Sequence, residues 1–141
     1  MDGEPVLAGS IYLAPGGRHM QVARHDGTAV IALDDGPPIN FCKPAIDPLF
    51  SSAAEVWGDW TMAVILTGMG QDGLIGSRHI KEAGGAIIAQ RRDGCAVWGM
   101  PGAVVDEGLA SGVLSLGEIA TQIATRSASK REVEGLSEGR L

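Results

Sequence analysis

The run Met62-Ala63-Val64-Ile65-Leu66, which leads into Thr67-Gly68-Met69-Gly70-Gln71-Asp72-Gly73, constrains the fold more than any other stretch of the chain. Its consecutive apolar residues have the length and branching of a strand buried on both faces, and the turn that follows carries three glycines and one acid. Beyond Gly73 the pattern takes a helical period, with Leu74, Ile75, Ile80 and Ala83 as the apolar positions and Gly84-Gly85 as the stop. A strand, a glycine-rich turn and a helix place that turn in the crevice beyond the carboxyl ends of parallel strands, where α/β proteins build their sites. Asp72 is therefore either an N-cap of the helix, worth about 0.5–2 kcal/mol, or part of a reactive centre. The turn also reads G-x-G-x-x-G, the dinucleotide fingerprint. Against that reading, an acid at a helix N-terminus competes with a pyrophosphate. The next strand ends in Ala89-Gln90, without the acid that grips a ribose.

The rest of the chain extends the alternation. Ile11-Tyr12-Leu13-Ala14 reads as a strand stopped by Pro15-Gly16-Gly17. His19 to Arg24 and Thr28 to Leu33 read as a hairpin around Asp26-Gly27. Ile46, Leu49, Phe50, Ala53, Ala54 and Trp57 recur three or four apart on one helical face. Strand 62–68, helix 73–83, strand 86–90, helix 101–107, strand 113–116 and helix 117–127 follow. The expected class is α/β: a mostly parallel, doubly wound, Rossmann-like sheet with an antiparallel β-hairpin insertion and right-handed crossovers. One domain is expected over residues 1–127, with 128–141 as a polar, disordered tail.

Seventeen acids against eleven bases leave a net charge of -6, which argues against nucleic acid and anionic membrane surfaces, because phosphate contacts need clustered cations. Arg91-Arg92 is the longest basic cluster and reads as solvated loop. The two cysteines, Cys42 and Cys95, have neither metal-ligand spacing nor a disulfide framework, and both read as packed. No metal or cofactor is expected. No apolar run approaches the ~20 residues of a membrane span, and the N-terminus has no signal-peptide pattern. A reducing cytoplasm is the expected location.

Several further motifs stand in order along the chain: Tyr12-Leu13-Ala14-Pro15-Gly16-Gly17-Arg18-His19-Met20, Asp35-Gly36-Pro37-Pro38-Ile39-Asn40, Pro44-Ala45-Ile46-Asp47-Pro48-Leu49-Phe50, Ile65 to Gly73, Ala83-Gly84-Gly85, Ala89-Gln90 and Cys95-Ala96-Val97-Trp98-Gly99-Met100-Pro101. Over residues from about 3 to 125 the chain resembles the catalytic domain of the bacterial chemotaxis protein-glutamate methylesterases. The resemblance implies a serine hydrolase that cleaves glutamyl methyl esters, and deamidates certain glutamines, on the cytoplasmic helices of chemoreceptors. It implies that Asp72 is the triad acid, orienting a histidine and stabilising its imidazolium. It also implies that Met69 donates its backbone N–H to the oxyanion, a contribution of about 2.7–4 kcal/mol in the transition state.

The departures from that family are as informative. Its nucleophilic serine, in a Gly-Ala-Ser-x-Gly-Gly type of turn, and its histidine both lie upstream of the segment where this chain's similarity begins. No such turn occurs in these 141 residues, and no segment of them is expected to correspond to the family's phosphorylatable receiver domain. The chain is expected to be the C-terminal portion of the catalytic domain, an incomplete domain that is inactive alone and open to complementation by a separate chain carrying the serine and histidine. His19, His25 and His79 read as structural or surface residues, Ser10 as strand entry, and Ser51-Ser52 as helix interior. A non-enzymatic module that binds a receptor or partner is the alternative, and nucleotide binding through Gly68–Gly73 a further one. The apolar strands of such a piece would present an open edge, so self-association is also expected.

Overall fold

Asp26 and Gly27 both take positive φ, 48° and 81°, as a two-residue hairpin turn of the type I′ kind requires. They join β1 (His19–His25) to β2 (Thr28–Asp34), the first sheet of the computed structural model, paired from His25↔Thr28 out to His19↔Asp34. The structure describes residues 1–138, with side chains to residue 128. Alternation along the hairpin turns Met20, Val22 and Ile31 to one buried face. Leu49, Ala53, Val56 and Trp57 of helix α1 (Ile46–Trp57) pack against that face. The free edge of β2 is taken by residues 3 to 6, where Gly3 donates to Ile31 O, Ile31 to Glu4 O and Val6 to Ala29 O, each at 2.8 Å.

The strand expected over Ile11 to Ala14 does not form. Tyr12 and Ala14 turn inward onto the hairpin core while Ile11 and Leu13 are exposed. The alternation is real, but no neighbouring strand offers this segment a ladder among the described residues. The Tyr12 hydroxyl instead holds the N-terminal segment, donating to Pro5 O and accepting from the Leu7 N–H.

The second sheet is parallel, in the order β3 (Met62–Ile65), β4 (Ala86–Gln90), β5 (Gly112–Leu114). Helix α2 (Leu74–Glu82) connects β3 to β4, and α3 (Met100–Asp106) connects β4 to β5. Ala63, Ile65, Ile80, Ile87, Ala89 and Val104 form the core between sheet and helices, each large aliphatic contributing about 1.5–3 kcal/mol by leaving water. The α/β class with a hairpin insertion therefore holds. β3 is shorter than the expected 62–68, because Leu66, Thr67 and Gly68 leave the ladder for the site described below. Helix α4 (Leu116–Glu138) opens with a capping box, Ser115 N–H to Glu118 Oε2 at 2.7 Å and Glu118 N–H to Ser115 Oγ at 3.3 Å. It runs past the expected end at 127 and overlaps the segment from 128 read as a tail; residues 139–141 lie outside the described ones. Among the described residues no helix is long and apolar enough to cross a membrane.

Candidate active site

Because β3 and β4 run parallel in the register Met62↔Ala86 to Ile65↔Ala89, the chain leaves both at the same edge. The stretch from Leu66 to Gly73 and the loop from Arg91 to Gly99 emerge side by side. Gln90, only 1% exposed, ties them together. Its Oε1 accepts the Thr67 N–H at 2.8 Å, replacing the backbone partner that β3 loses there, and its Nε2 donates to Gly94 O at 2.6 Å. Thr67 Oγ1 accepts the Val97 N–H and donates to Val97 O, both at 2.9 Å. Gly68 forms a parallel bridge with Trp98, and its carbonyl accepts from Gly99 and Met100. A Cβ on Gly99 would stand 2.8 Å from Gly68 O and 3.0 Å from Gly70 N, so only glycine lets the two loops close this tightly. Met69 is thereby held at the crest of the turn, 86% exposed, and its N–H finds no acceptor among the described residues.

Asp72 is buried, 6% exposed. Its Oδ2 accepts the Ile46 N–H at 2.7 Å, and its Oδ1 accepts from Asp47 at 3.2 Å and Gly73 at 3.0 Å. The capping reading thus needs correction: Asp72 caps the first turn of α1, whose own N-cap residue, Ala45, has no side-chain acceptor. The N-cap of α2 is Gly73, in the left-handed region at φ 90°. The α2 terminus is served instead by Asp47, whose Oδ1 accepts the Gly76 N–H at 2.8 Å while Oδ2 accepts from Asn40 Nδ2 at 2.9 Å. Gly76 permits the approach, since a Cβ there would lie 2.9 Å from Asp47 O. The α2 terminus thus already holds two carboxylates where a pyrophosphate would need open N–H groups, which removes the physical basis of the nucleotide reading. Among the described residues no cluster of three His, Cys, Asp or Glu could hold a metal ion.

Residues 1–123 match the protein-family model described as CheB methylesterase. The chain belongs to the CheB methylesterase family. It is 58% identical over 123 residues to a protein-glutamate methylesterase/protein-glutamine glutaminase of Rhodopseudomonas palustris strain BisB5, covering 87% of this chain and 32% of that protein. It is 50% identical over 129 residues to one numbered 2 from Caulobacter vibrioides, covering 91% and 37%. The crystal structure of the Thermotoga maritima CheB methylesterase catalytic domain superposes with a TM-score of 0.84 at 41% identity, covering 86% of this chain and 65% of that one. The chain thus spans about a third of the length of these curated relatives.

Within this CheB-family chain, no histidine or serine side chain hydrogen-bonds to Asp72 among the described residues. His19 is fully buried and spent on structure. Its Nδ1 accepts the Ala45 N–H at 3.1 Å, which fixes Nε2 as the donor to Pro37 O at 2.9 Å. His25 sits exposed at the hairpin tip beside Asp26. His79 is exposed, as read from the sequence, but its Nδ1 lies 2.7 Å from Ser51 Oγ across the α1–α2 contact. Ser52 Oγ accepts the Val22 N–H and donates to Leu49 O. Cys95 is half-buried, whereas Cys42, expected to pack, is exposed. It closes a tight turn at Asn40-Phe41, both at positive φ, which carries it to the surface. A cavity of about 630 Å³ lies away from the turn, against the hairpin, lined by Leu7, Tyr12, Met20 and Leu33 among others. Asp47, Asn40 and Gln90 stand in motifs of the sequence that assign them no place in the site. The available signal was an acid in the first turn of α1 and a polar residue ending an apolar strand.

Proposed function

We propose that this chain supplies part of the active site of a serine hydrolase that removes methyl esters from glutamyl side chains, and deamidates glutamines, on chemoreceptor cytoplasmic helices. Asp72 is the acid that orients the histidine, and Met69 offers its backbone N–H to the oxyanion. The serine and the histidine come from outside these 141 residues, in a preceding βα segment of the same domain or on a separate chain. The observation that carries this reading is the Asp72 carboxylate itself. Three N–H groups hold it, two on Oδ1 and one on Oδ2, which leaves a lone pair on Oδ2 for an imidazole N–H. So held, it keeps its orientation without the histidine. The exposed crest at Met69 stands three residues away along the same turn, as a preorganised oxyanion donor requires.

The test is complementation. The chain alone should show no hydrolysis of a glutamyl methyl ester peptide. Adding a polypeptide that carries the serine and histidine segments of a full-length relative should restore turnover. Asp72→Asn should then lower kcat by about 10⁴, as loss of the correct tautomer does in such triads. Turnover by the isolated chain that disappears in Asp72→Ala would overturn this and point to a nucleophile within it. Binding of receptor helices with no hydrolysis in any combination would favour the alternative of a non-enzymatic binding module.

A further inference from the structure

Two adjacent arginines follow β4 and are not equivalent. Arg91 is spent on its own chain, with Nε 2.8 Å from Asp93 Oδ1 and Nη1 3.8 Å from Glu118 Oε2. Arg92 has no carboxylate partner among the described residues. Its guanidinium lies over the Trp98 indole, 5.3 Å from the ring centroid. The indole is in turn fixed from two sides. Its Nε1–H donates to Gln90 O at 3.2 Å, and Gly102 of α3 lies so close that a Cβ there would stand 2.9 Å from Cε3. The Trp98 backbone forms the parallel bridge to Gly68, one residue before Met69. An exposed cation is thus fixed on the loop that braces the proposed oxyanion turn, with Leu66, Met69 and Val97 as exposed apolar neighbours on the two loops. In a chain of net charge -6, the nearby acids Asp93 and Glu118 both face Arg91, and Arg91 holds the Asp93 carboxyl below its ordinary range.

We infer that Arg92 is a substrate-recognition residue, which binds a carboxylate that the ester-bearing helix carries close to its scissile side chain. The inference rests on the function proposed above. A stacked guanidinium suits a carboxylate better than a lysine would, because its planar fork stays oriented on the ring while its N–H edges remain free. The surrounding apolar side chains suit the rest of an amphipathic helix.

The experiment titrates the full chain with three labelled helical peptides and follows anisotropy. One carries a γ-methyl glutamate flanked by glutamates one helical turn away, the second has glutamines at the flanks, and the third is the demethylated form of the second. The wild-type chain should prefer the first over the second by about three- to fivefold at low salt, and the preference should shrink at about 1 M salt. Arg92→Gln should erase that preference. Arg91→Gln, which removes the same formal charge, should retain most of it, and both variants should still unfold cooperatively. Equal losses in the two variants would overturn the inference in favour of general charge attraction. Tighter binding of the third peptide than of the first would assign Arg92 to the product carboxylate instead, overturning the flanking assignment. Equal binding of the first two peptides by the wild type would defeat the inference while leaving the proposed function standing. Failure to bind any of the three would defeat the inference, and the proposed function would then stand or fall on the complementation test above.

Discussion

Asp72 and Asp47 each cap the helix at which the other sits. The Asp72 carboxylate, at the entry to α2, accepts the first two N–H groups of α1, from Ile46 and Asp47. The Asp47 carboxylate, in the first turn of α1, accepts the Gly76 N–H in the first turn of α2. Neither helix has a side-chain cap of its own, so the usual local device is replaced by an exchange across the interface. The exchange locks the relative position of the two helix starts, and with it the direction of the Asp72 carboxylate.

A double-mutant cycle tests the exchange. Asp72→Ala strips the acceptor from three buried or half-buried N–H groups and should cost about 1–3 kcal/mol. Asp47→Ala should cost about 0.5–2 kcal/mol, the range of an N-cap loss. Because each change frees the helix start on which the other acts, the double variant should lose less than the sum, with a coupling of at least about 0.5 kcal/mol. Urea unfolding of the four proteins measures it. Strict additivity would mean that the two caps act independently.

Local patterns made much of this fold legible. The Asp26-Gly27 pair gave the hairpin, the spacing of Ile46 to Trp57 gave α1, and β4 runs over 86–90 as its apolar run implied. Apart from Cys42, which a local turn carries to the surface, the failures are non-local. Ile11 to Ala14 alternates as a strand does, but alternation cannot say whether a neighbour exists to accept its ladder. The strand β3 ends early because Gln90, twenty-three residues on, takes over the Thr67 N–H. Asp72 stands out in sequence by its turn, but its hydrogen-bond partners at Ile46 and Asp47 lie on another helix, so a capping rule confined to adjacent residues places it on α2. The His79–Ser51 contact is hidden for the same reason: two polar residues on separate helices carry no mark in sequence of the face they share.

Acid should weaken the fold through identifiable surface carboxylates. Arg78 grips Glu107 in a bidentate pair, 2.8 and 2.6 Å, joining α2 to the end of α3. The side-chain hydrogen bond from Arg78, then its charge, hold the Glu107 carboxyl below its ordinary 4.5. Glu118 is lowered first by the Ser115 backbone N–H, and Asp93 by Arg91. A carboxyl depressed in the folded state contributes stability that is fully present above its unfolded pKa and is lost as pH falls through the folded one. The unfolding midpoint should therefore drop between about pH 5 and pH 3, and Glu107→Gln should flatten part of that slope. Since the groups are exposed, about 1 M salt should flatten it as well. An unchanged slope in the variant would exclude the Arg78 pair as a contributor.

Association should depend on concentration. β3 has a hydrogen-bonded neighbour on one side only, so its other edge is open among the described residues. Leu66, Met69 and Val97 lie exposed just beyond the carboxyl edge of the same sheet. Open edges beside apolar surface recruit further chains. Light scattering over a concentration series should show growth in mass, and the complementing segment described above should suppress it. A compact, cooperative monomer at the highest concentration would contradict the expectation.

Gln90 should control the rigidity of the Thr67–Gly70 turn more than that of the sheet. Its amide, at the end of β4, joins the turn after β3 to the loop after β4, accepting from Thr67 and donating to Gly94. Gln90→Leu nearly preserves the volume but leaves the part-buried Thr67 N–H without its acceptor, at a cost of about 0.5–1.5 kcal/mol. The loss should be local, because the β3–β4 ladder from Met62 to Ile65 keeps its backbone bonds. Amide hydrogen exchange should therefore show Thr67 and Gly68 losing protection, by about tenfold or more for each ~1.4 kcal/mol of local opening, while Val64 and Ile88 exchange as before. In the complemented enzyme the same variant should lower kcat more than it raises KM, since a looser turn costs the proposed oxyanion donor at Met69 its preorganisation. Uniform loss of protection across β3 and β4 would instead make Gln90 a general support of the sheet.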